Sequence, residues 1–427
     1  MERNKGITLI ALIITIIILL ILVGVSINLV IKGDLFGSAE KAVEGTNDKT
    51  AQEQTRVDEL MGELGRVEEQ QRQDNLPGTR VTENTKYVSN GKTAWIPAGF
   101  TVSKAEGETT IDGGLVIYLI QDKTEEEIKS LTWTGTELEN LKKTYDQFVW
   151  IPISHEQINN MFICQAKTTS NGSCNIVAEN GTAKCTTHNS TQMAGRLYAS
   201  NTGESYNNPK KEVYTANTGL REPDVVTFDG DSAYLSNLTS ILGSEYDDKD
   251  KFKNILQTDY NEIVALIYNA KGYYVGRYET SNLTPTKGTA INVVAGTNFG
   301  ISNINWYCMY AQQKAYTTNK QLKSVKSSMI LGTCHDQMLE FVNVAGKYDV
   351  TKAGKVGHTS SKFTTKPYLT GGVEYNENYS GYETEPYKDL SKNIYDLEGN
   401  VSEWTTEALD TSYRVYRGRL LQQQLFC

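Results

Sequence analysis

The chain has 427 residues, with 51 acidic against 42 basic side chains, a net charge of −9, and 25 Tyr beside only 8 Pro. That length accommodates two or three domains. The negative balance, with no Lys/Arg stripe, excludes nonspecific nucleic-acid binding. The tyrosine-rich, proline-poor composition suits β and loop surfaces that contact ligands.

Residues 7–31, ITLIALIITIIILLILVGVSINLVI, carry no charge. As a helix they span about 37 Å, more than the roughly 30 Å of a bilayer's hydrocarbon core. The pattern predicts a single transmembrane helix. Arg3 and Lys5 ahead of it hold the N-terminus in the cytoplasm and place residues 32–427 outside. The expected location is therefore the cell membrane, single-pass, with an extracellular C-terminal region. Residues 32–83 read as a helical stalk and linker. They are rich in Glu, Gln and Ala, with one short apolar stripe at Leu60, Met61 and Leu64, and Pro77-Gly78 ends the helix.

From about residue 84 the pattern changes to short β-like runs with Gly turns. AWIPAGFTVS (94–103) and GGLVIYLI (113–120) alternate as strands, with Asp112-Gly113 as a hairpin signal. A polar, helix-like insert covers 123–144, and FVWIPI (148–153) follows as a strand. Residues 156–260 are polar with few apolar runs, and read as a long insertion with a helix near 233–256. Residues 300–320 predict a helix carrying Trp306, Tyr307 and Tyr310. The stretch 393–404, NIYDLEGNVSEW, joins an extended segment, a Gly399-Asn400 turn and an apolar anchor. Trp150, Trp306 and Trp404 are the expected core tryptophans. Asp396, Glu398, Asn400 and Glu403 crowd oxygen ligands around the turn. Such a group suits a hard cation such as calcium, or stays a polar turn with solvated carboxylates.

The order of residues in that stretch, Tyr395, Asp396, Gly399, Asn400, Val401, Glu403 and Trp404, resembles the Y-D-x-x-G-N-V-x-E-W signature of the formylglycine-generating, sulfatase-modifying family. Ser402 stands where the family carries a large residue. YRVYRG (413–418), FVWIPI and YYVGRYETS (273–281) resemble three further strands of the same domain, in the same order. Residues 327–343 look like a helical segment of that family. The resemblance implies an α+β class with a C-type-lectin-like fold over 84–427, interrupted by the 156–260 insertion. It also implies a calcium site, with side-chain oxygens from Asn400 and Glu403 and carbonyls from Gly399 and Val401. The start, NKGITLIAL, resembles type IV prepilins, which implies a leader at 1–6 cut by a prepilin peptidase between Gly6 and Ile7. Ala11 replaces the glutamate that registers such subunits in a filament. Export of this kind points to a bacterium.

The six cysteines are Cys164, Cys174, Cys185, Cys308, Cys334 and Cys427. The first three lie close together in the insertion. One disulfide among them would contribute roughly 3 kcal/mol in the chain-entropy model. With His188 nearby, three Cys and one His offer zinc instead, although nine and ten residues between the cysteines do not match the usual knuckle. Free thiols are the third option. Cys308 and Cys334 read as buried apolar residues or a pair across the core.

No nucleophile motif, H-E-x-x-H or phosphate loop occurs. Enzymes of the resembled family hold copper between two cysteines just after the strand matched by YRVYRG. Here Arg417-Gly418 is followed by RLLQQQLFC, with Cys427 alone. That ending can be written in codons which, read in a neighbouring frame, would give a family-like Gly-Tyr-Tyr-Asn-Asn-Asn-Cys-Phe. That points to a truncated or frameshifted C-terminus. It also fits lectin-fold proteins diversified by retroelements. The expectation is a membrane-anchored, surface-exposed, non-catalytic display protein that binds an extracellular protein or glycan. The alternatives are a minor pilin or pseudopilin assembled with other pilins, and a copper-dependent formylglycine-generating oxidase.

Overall fold

The computed structural model describes residues 76–164, 174–195, 232–280, 291–295, 305–342, 390–395 and 403–408. It adds Thr55, Arg56, Asp58, Met61 and Pro223, and the backbone of 368–369, 373–374 and 414–417. The leader with Gly6 and Ile7, the apolar span 7–31, most of the stalk, Gly399, Asn400 and Val401, and everything from Gly418 onward lie outside the described residues. Thr55, Arg56, Asp58 and Met61 are helical. Among the described residues no helix is long and apolar enough to cross a membrane. The chain divides into two units, Met1–Gln71 and Arg72–Cys427.

The second unit is α+β, built from small antiparallel sheets with helices laid against them. It opens with a hairpin of β1 (Thr85–Ser89) and β2 (Lys92–Ile96). Its turn is Asn90-Gly91, both at positive φ of 51° and 73°. This is the turn chemistry that matches the twist of the flanking strands. Next come β3 (Thr101–Val102), β4 (Val116–Leu119), α1 (Glu125–Ser130), α2 (Gly135–Thr144) and β5 (Asp146–Pro152). Both short helices fall in the polar insert at 123–144. Thr124 and Glu127 close α1 with a reciprocal capping box.

The expected insertion follows. It begins with α3 (His155–Met161), β6 (Phe162–Cys164), β7 (Ile176–Glu179), β8 (Thr182–Cys185) and β9 (Met193–Gly195). It continues with α4 (Ser232–Leu242) and the long α5 (Lys249–Ala270). Sequence periodicity placed one helix near 233–256; the structure breaks it at Gly243, φ 110°, into two. Asp248 caps the second by accepting from the Lys251 N–H. Then come β10 (Gly272–Gly276), α6 (Trp306–Asn319) and α7 (Gly332–Val342). Short pairs close the chain: β11 (Tyr368–Leu369) with β12 (Val373–Glu374), β13 (Leu390–Ser391) with β14 (Ile394–Tyr395), and β15 (Glu403–Ala408) with β16 (Arg414–Arg417).

The principal sheet runs β10-β5-β4-β3, all antiparallel, with Val149 opposite Val116 and Tyr274 opposite Trp150. Side chains alternate faces along a strand. Val116, Tyr118, Val149, Ile151 and Val275 therefore enter one core, under Ile128, Leu141, Met338, Leu339 and Val342 of the helices. Ile117, Leu119 and Trp150 enter the opposite core, under Tyr87, Ala94 and Ile96 of the first hairpin and Tyr316 of α6. Burial on both faces explains why β4 and β5 read as nearly continuous apolar runs rather than alternating ones.

The insertion builds its own core. Phe162, Ile163, Ile176, Met193 and Ala194 pack on Tyr260, Val264 and Ala265, which share one face of α5. Its few apolar residues are spread over short strands, so no single run announces them.

Asp112-Gly113 does not form a tight hairpin, because 13 residues separate β3 from β4. Instead the loop is clamped from far along the chain. Asn393 Nδ2 donates to the carbonyls of Gly107, Gly113 and Gly114 at 2.9, 3.2 and 2.8 Å. Gly114 has φ 91°, and a Cβ there would meet the Lys392 carbonyl oxygen at 1.9 Å. Gly114→Ala should therefore combine backbone strain with a backbone clash and destabilise the unit by about 3 kcal/mol or more. Urea titration of the purified protein checks this; a midpoint within error of the parent would show that the Asn393 clamp does not require the close approach.

Candidate functional site

The start of the 393–404 stretch, up to Tyr395, sits beside a buried charge. Arg277, which directly follows β10, is 1% exposed and pairs with Glu108 at 2.7 Å. Arg277 Nη1 also donates to Tyr118 Oη at 3.2 Å and to Gln147 Oε1 at 3.1 Å. Glu108 accepts further from Ser103 Oγ at 2.7 Å and from Tyr118 Oη at 3.2 Å. The guanidinium lies 5.5 and 5.6 Å from the ring centres of Tyr278 and Tyr395. Burial opposes charge on Arg277, but Tyr278, Glu108 and Tyr118 outweigh it and hold the group protonated. Burial pushes the Tyr118 hydroxyl well up, so it stays neutral and free to donate. The backbone then docks β14, through Tyr395 N–H to the Arg277 carbonyl at 3.0 Å.

Of the expected calcium ligands, Glu403 is the one within the described residues. It opens β15 opposite Arg417, is about one-third exposed, and its carboxylate lies 3.8 Å from Nε2 of the buried His335. At that separation the two attract only if the imidazole is protonated. Trp404 is half-buried against the cluster that contains Trp306, Tyr307 and Phe252. Trp306 is buried and donates from Nε1 to the Thr405 carbonyl at 2.7 Å, which ties β15 to α6. Trp150 is buried at the centre of the sheet.

A cleft of about 680 Å³ runs along β10, between the first hairpin and α6. That volume is in the range of small-molecule sites, about 300–1,000 Å³. Its wall mixes aliphatic side chains with the aromatic rings of Trp95, Phe148, Trp150, Tyr274, Tyr316 and Trp404, with Asn84, Glu279, Lys326 and Glu403 among the polar points. In the second unit, the large apolar side chains exposed among the described residues are Trp95, at 41%, and Leu266, at 49%, and both line this cleft. Tyr274 Oη donates to the Trp95 carbonyl at 3.0 Å and fixes the rim.

The floor is held by Asp146, 3% exposed. Its carboxylate accepts from the Val293 N–H at 2.6 Å, from Tyr316 Oη at 2.8 Å, and from Lys320 Nζ at 2.7 Å. Burial, and Asp146 beside it, push the Tyr316 hydroxyl far above its usual range. Asp146→Ala removes the carboxylate that Tyr316, Lys320 and the Val293 N–H share, leaving Lys320 with Asn292 Oδ1 at 2.8 Å, and frees two cleft walls. The expected cost is about 3–5 kcal/mol, read as a lower unfolding midpoint; a loss below about 1 kcal/mol would mean the network is not what holds α6 to β5.

The cysteines are the third feature. Cys164 ends β6, Cys174 precedes β7, Cys185 ends β8, and His188 lies in the turn beyond it. Their ligand atoms all lie within 4.8 Å of one another. The pair nearest in sequence is Cys185 and His188, with two intervening residues; the spacings between cysteines hid that knuckle-like step. Burial raises the Cys185 thiol, yet the bonds from His188 and the two other cysteines outweigh it and bring the group down to about 7. Burial, reinforced by Cys174 and Cys185, pushes Cys164 up to about 12. Cys308 and Cys334 are buried in separate clusters and are not joined by a disulfide. Comparison of the chain with family models, with curated proteins and with solved structures finds no match.

Proposed function

We propose that this chain is a membrane-anchored, surface-exposed, non-catalytic protein that uses a lectin-like domain of the sulfatase-modifying type to bind an extracellular protein or glycan. The observation that carries the reading is the aromatic cleft, with the exposed Trp95 and Leu266 on its lining. Exposed large apolar groups confined to one concave site mark a contact surface, and tryptophan is the side chain most enriched in binding hot spots. Among the described residues the cleft brings together aromatic and aliphatic faces with scattered polar points. Sugar rings and extended peptides both suit such a lining. The uncharged span 7–31 behind Arg3 and Lys5 supports the anchor. The lectin-like fold is supported by the resemblance of 148–153, 273–281, 393–404 and 413–418. In the structure three of these four meet around Arg277: β5 through Gln147, β10 directly, and β14 through Tyr395.

Glycan and peptide arrays probed with the purified protein should return a retained ligand class. Trp95→Ala should weaken that binding roughly 10- to 100-fold without lowering the unfolding temperature. Binding unchanged in Trp95→Ala would remove the cleft as the site. The same reading includes a calcium ion at Gly399, Asn400, Val401 and Glu403. Selective binding to the folded state at a hundred times the dissociation constant stabilises it by about 2.7 kcal/mol. Melting curves in calcium and in EDTA should separate by several degrees, and Glu403→Gln should close the gap. Superimposed curves for the parent protein would leave the turn as hydrogen-bonded scaffolding.

A further inference from the structure

We propose that Cys164, Cys174, Cys185 and His188 form a closed, structural zinc site that staples the insertion together. The distances carry the assignment. A tetrahedron with zinc–sulfur arms of about 2.3 Å and a zinc–nitrogen arm of about 2.0–2.1 Å has edges of about 3.8 Å between sulfurs and about 3.6 Å from sulfur to nitrogen. Here Cys164 Sγ and Cys174 Sγ are 3.6 Å apart. His188 Nδ1 lies 3.4, 3.7 and 3.3 Å from the sulfurs of Cys164, Cys174 and Cys185. The separation of the first two sulfurs is far beyond a disulfide bond of about 2.05 Å. Thiols that merely fill an apolar core have no reason to converge on one imidazole nitrogen. Three sulfurs and a ring nitrogen, with four of six edges at these lengths and all within 4.8 Å, are the ligand set that soft thiolates and imidazole offer zinc.

The surroundings fit a structural rather than a catalytic ion. All four positions are filled by protein, and the three cysteines are 0%, 5% and 0% exposed, which leaves no open position for substrate. The ligands come from distinct pieces of chain, brought together by short-range geometry. The β7–β8 hairpin turns at Asn180-Gly181, φ 50° and 77°, and sets Ile176 opposite Cys185. Cys185 and Ser190 exchange backbone bonds of 2.8 and 3.2 Å, which folds His188 back over the site. The Cys164 N–H points at Cys174 Sγ at 3.4 Å, the kind of outer bond that steadies a metal thiolate. The ion would thus lock β6 and the β7–β8 hairpin to each other and onto α5, where the two strand pairs pack on one helix.

The test uses the full chain purified in detergent under reductant. Elemental analysis should find one zinc per chain. Cys174→Ser and Cys185→Ser should each lower this to none, and Cys308→Ser should keep it at one. Independently of any variant, metal-free parent protein titrated with cobalt(II) should develop thiolate charge-transfer and tetrahedral ligand-field bands that zinc displaces stoichiometrically. Chelation should open the 174–195 segment to protease. The proposal is overturned by metal-free protein that gives no cobalt spectrum, by a Cys164–Cys174 disulfide mapped in unreduced protein, or by Cys308→Ser losing zinc as fully as Cys185→Ser.

Discussion

The structure of the 72–427 unit depends on a charge that cannot reach water. Arg277 sits on the edge of the principal sheet, where β10, β4 and β5 converge with the loop that carries Glu108. A buried guanidinium alone would cost several kcal/mol, so its burial demands Glu108, Tyr118 and Gln147 in register at the same time. That demand is directional, unlike apolar packing. It specifies the strand alignment and the place where the chain returns more than a hundred residues later to set Tyr395 beside the guanidinium.

Two consequences follow from the position of that charge. The sheet is covered on both faces, so its central strands reach the cleft through a few side chains such as Ile117, Phe148 and Trp150. The main opening among the described residues lies at the sheet's margin, where the first hairpin and α6 overhang β10 and leave the cleft between them. Asp146, one residue before Gln147 on β5, governs that margin as Glu108 governs the interior. Neighbouring carboxylate and amide thus serve two networks on opposite faces of the same strand, as the pleat requires.

The insertion is a different physical solution. Its strands are three or four residues long and pair two by two, so little of its backbone is held in a ladder. The cysteine–histidine group lies where a cross-link would act on β6, β7 and β8 at once. The long α5 connects this satellite core to the principal sheet, because its C-terminus runs through Lys271, φ 56°, directly into β10.

Much of the scaffold is written locally. β4, β5 and α6 lie where apolar runs and helical spacing put them, because each is long or apolar enough to be legible from its own side chains, while β10 overlaps the stretch 273–281 and α7 falls within 327–343. The Asn90-Gly91 hairpin carried an equally plain signal in its turn residues. Other features depend on residues far apart in sequence. Asn393 finds three carbonyls near residues 107–114. Arg277 finds Glu108 across the sheet, and Trp95 meets the wall of a cleft made by α6. No window of the chain contains both halves of any of these contacts. The cysteines show the boundary most clearly. Their identity and the nearness of His188 were visible, but whether the four atoms meet, and at what separation, was decided by two short hairpins folding onto one helix. Spacing along a chain constrains coordination only when the ligands share a turn, and here just one pair does.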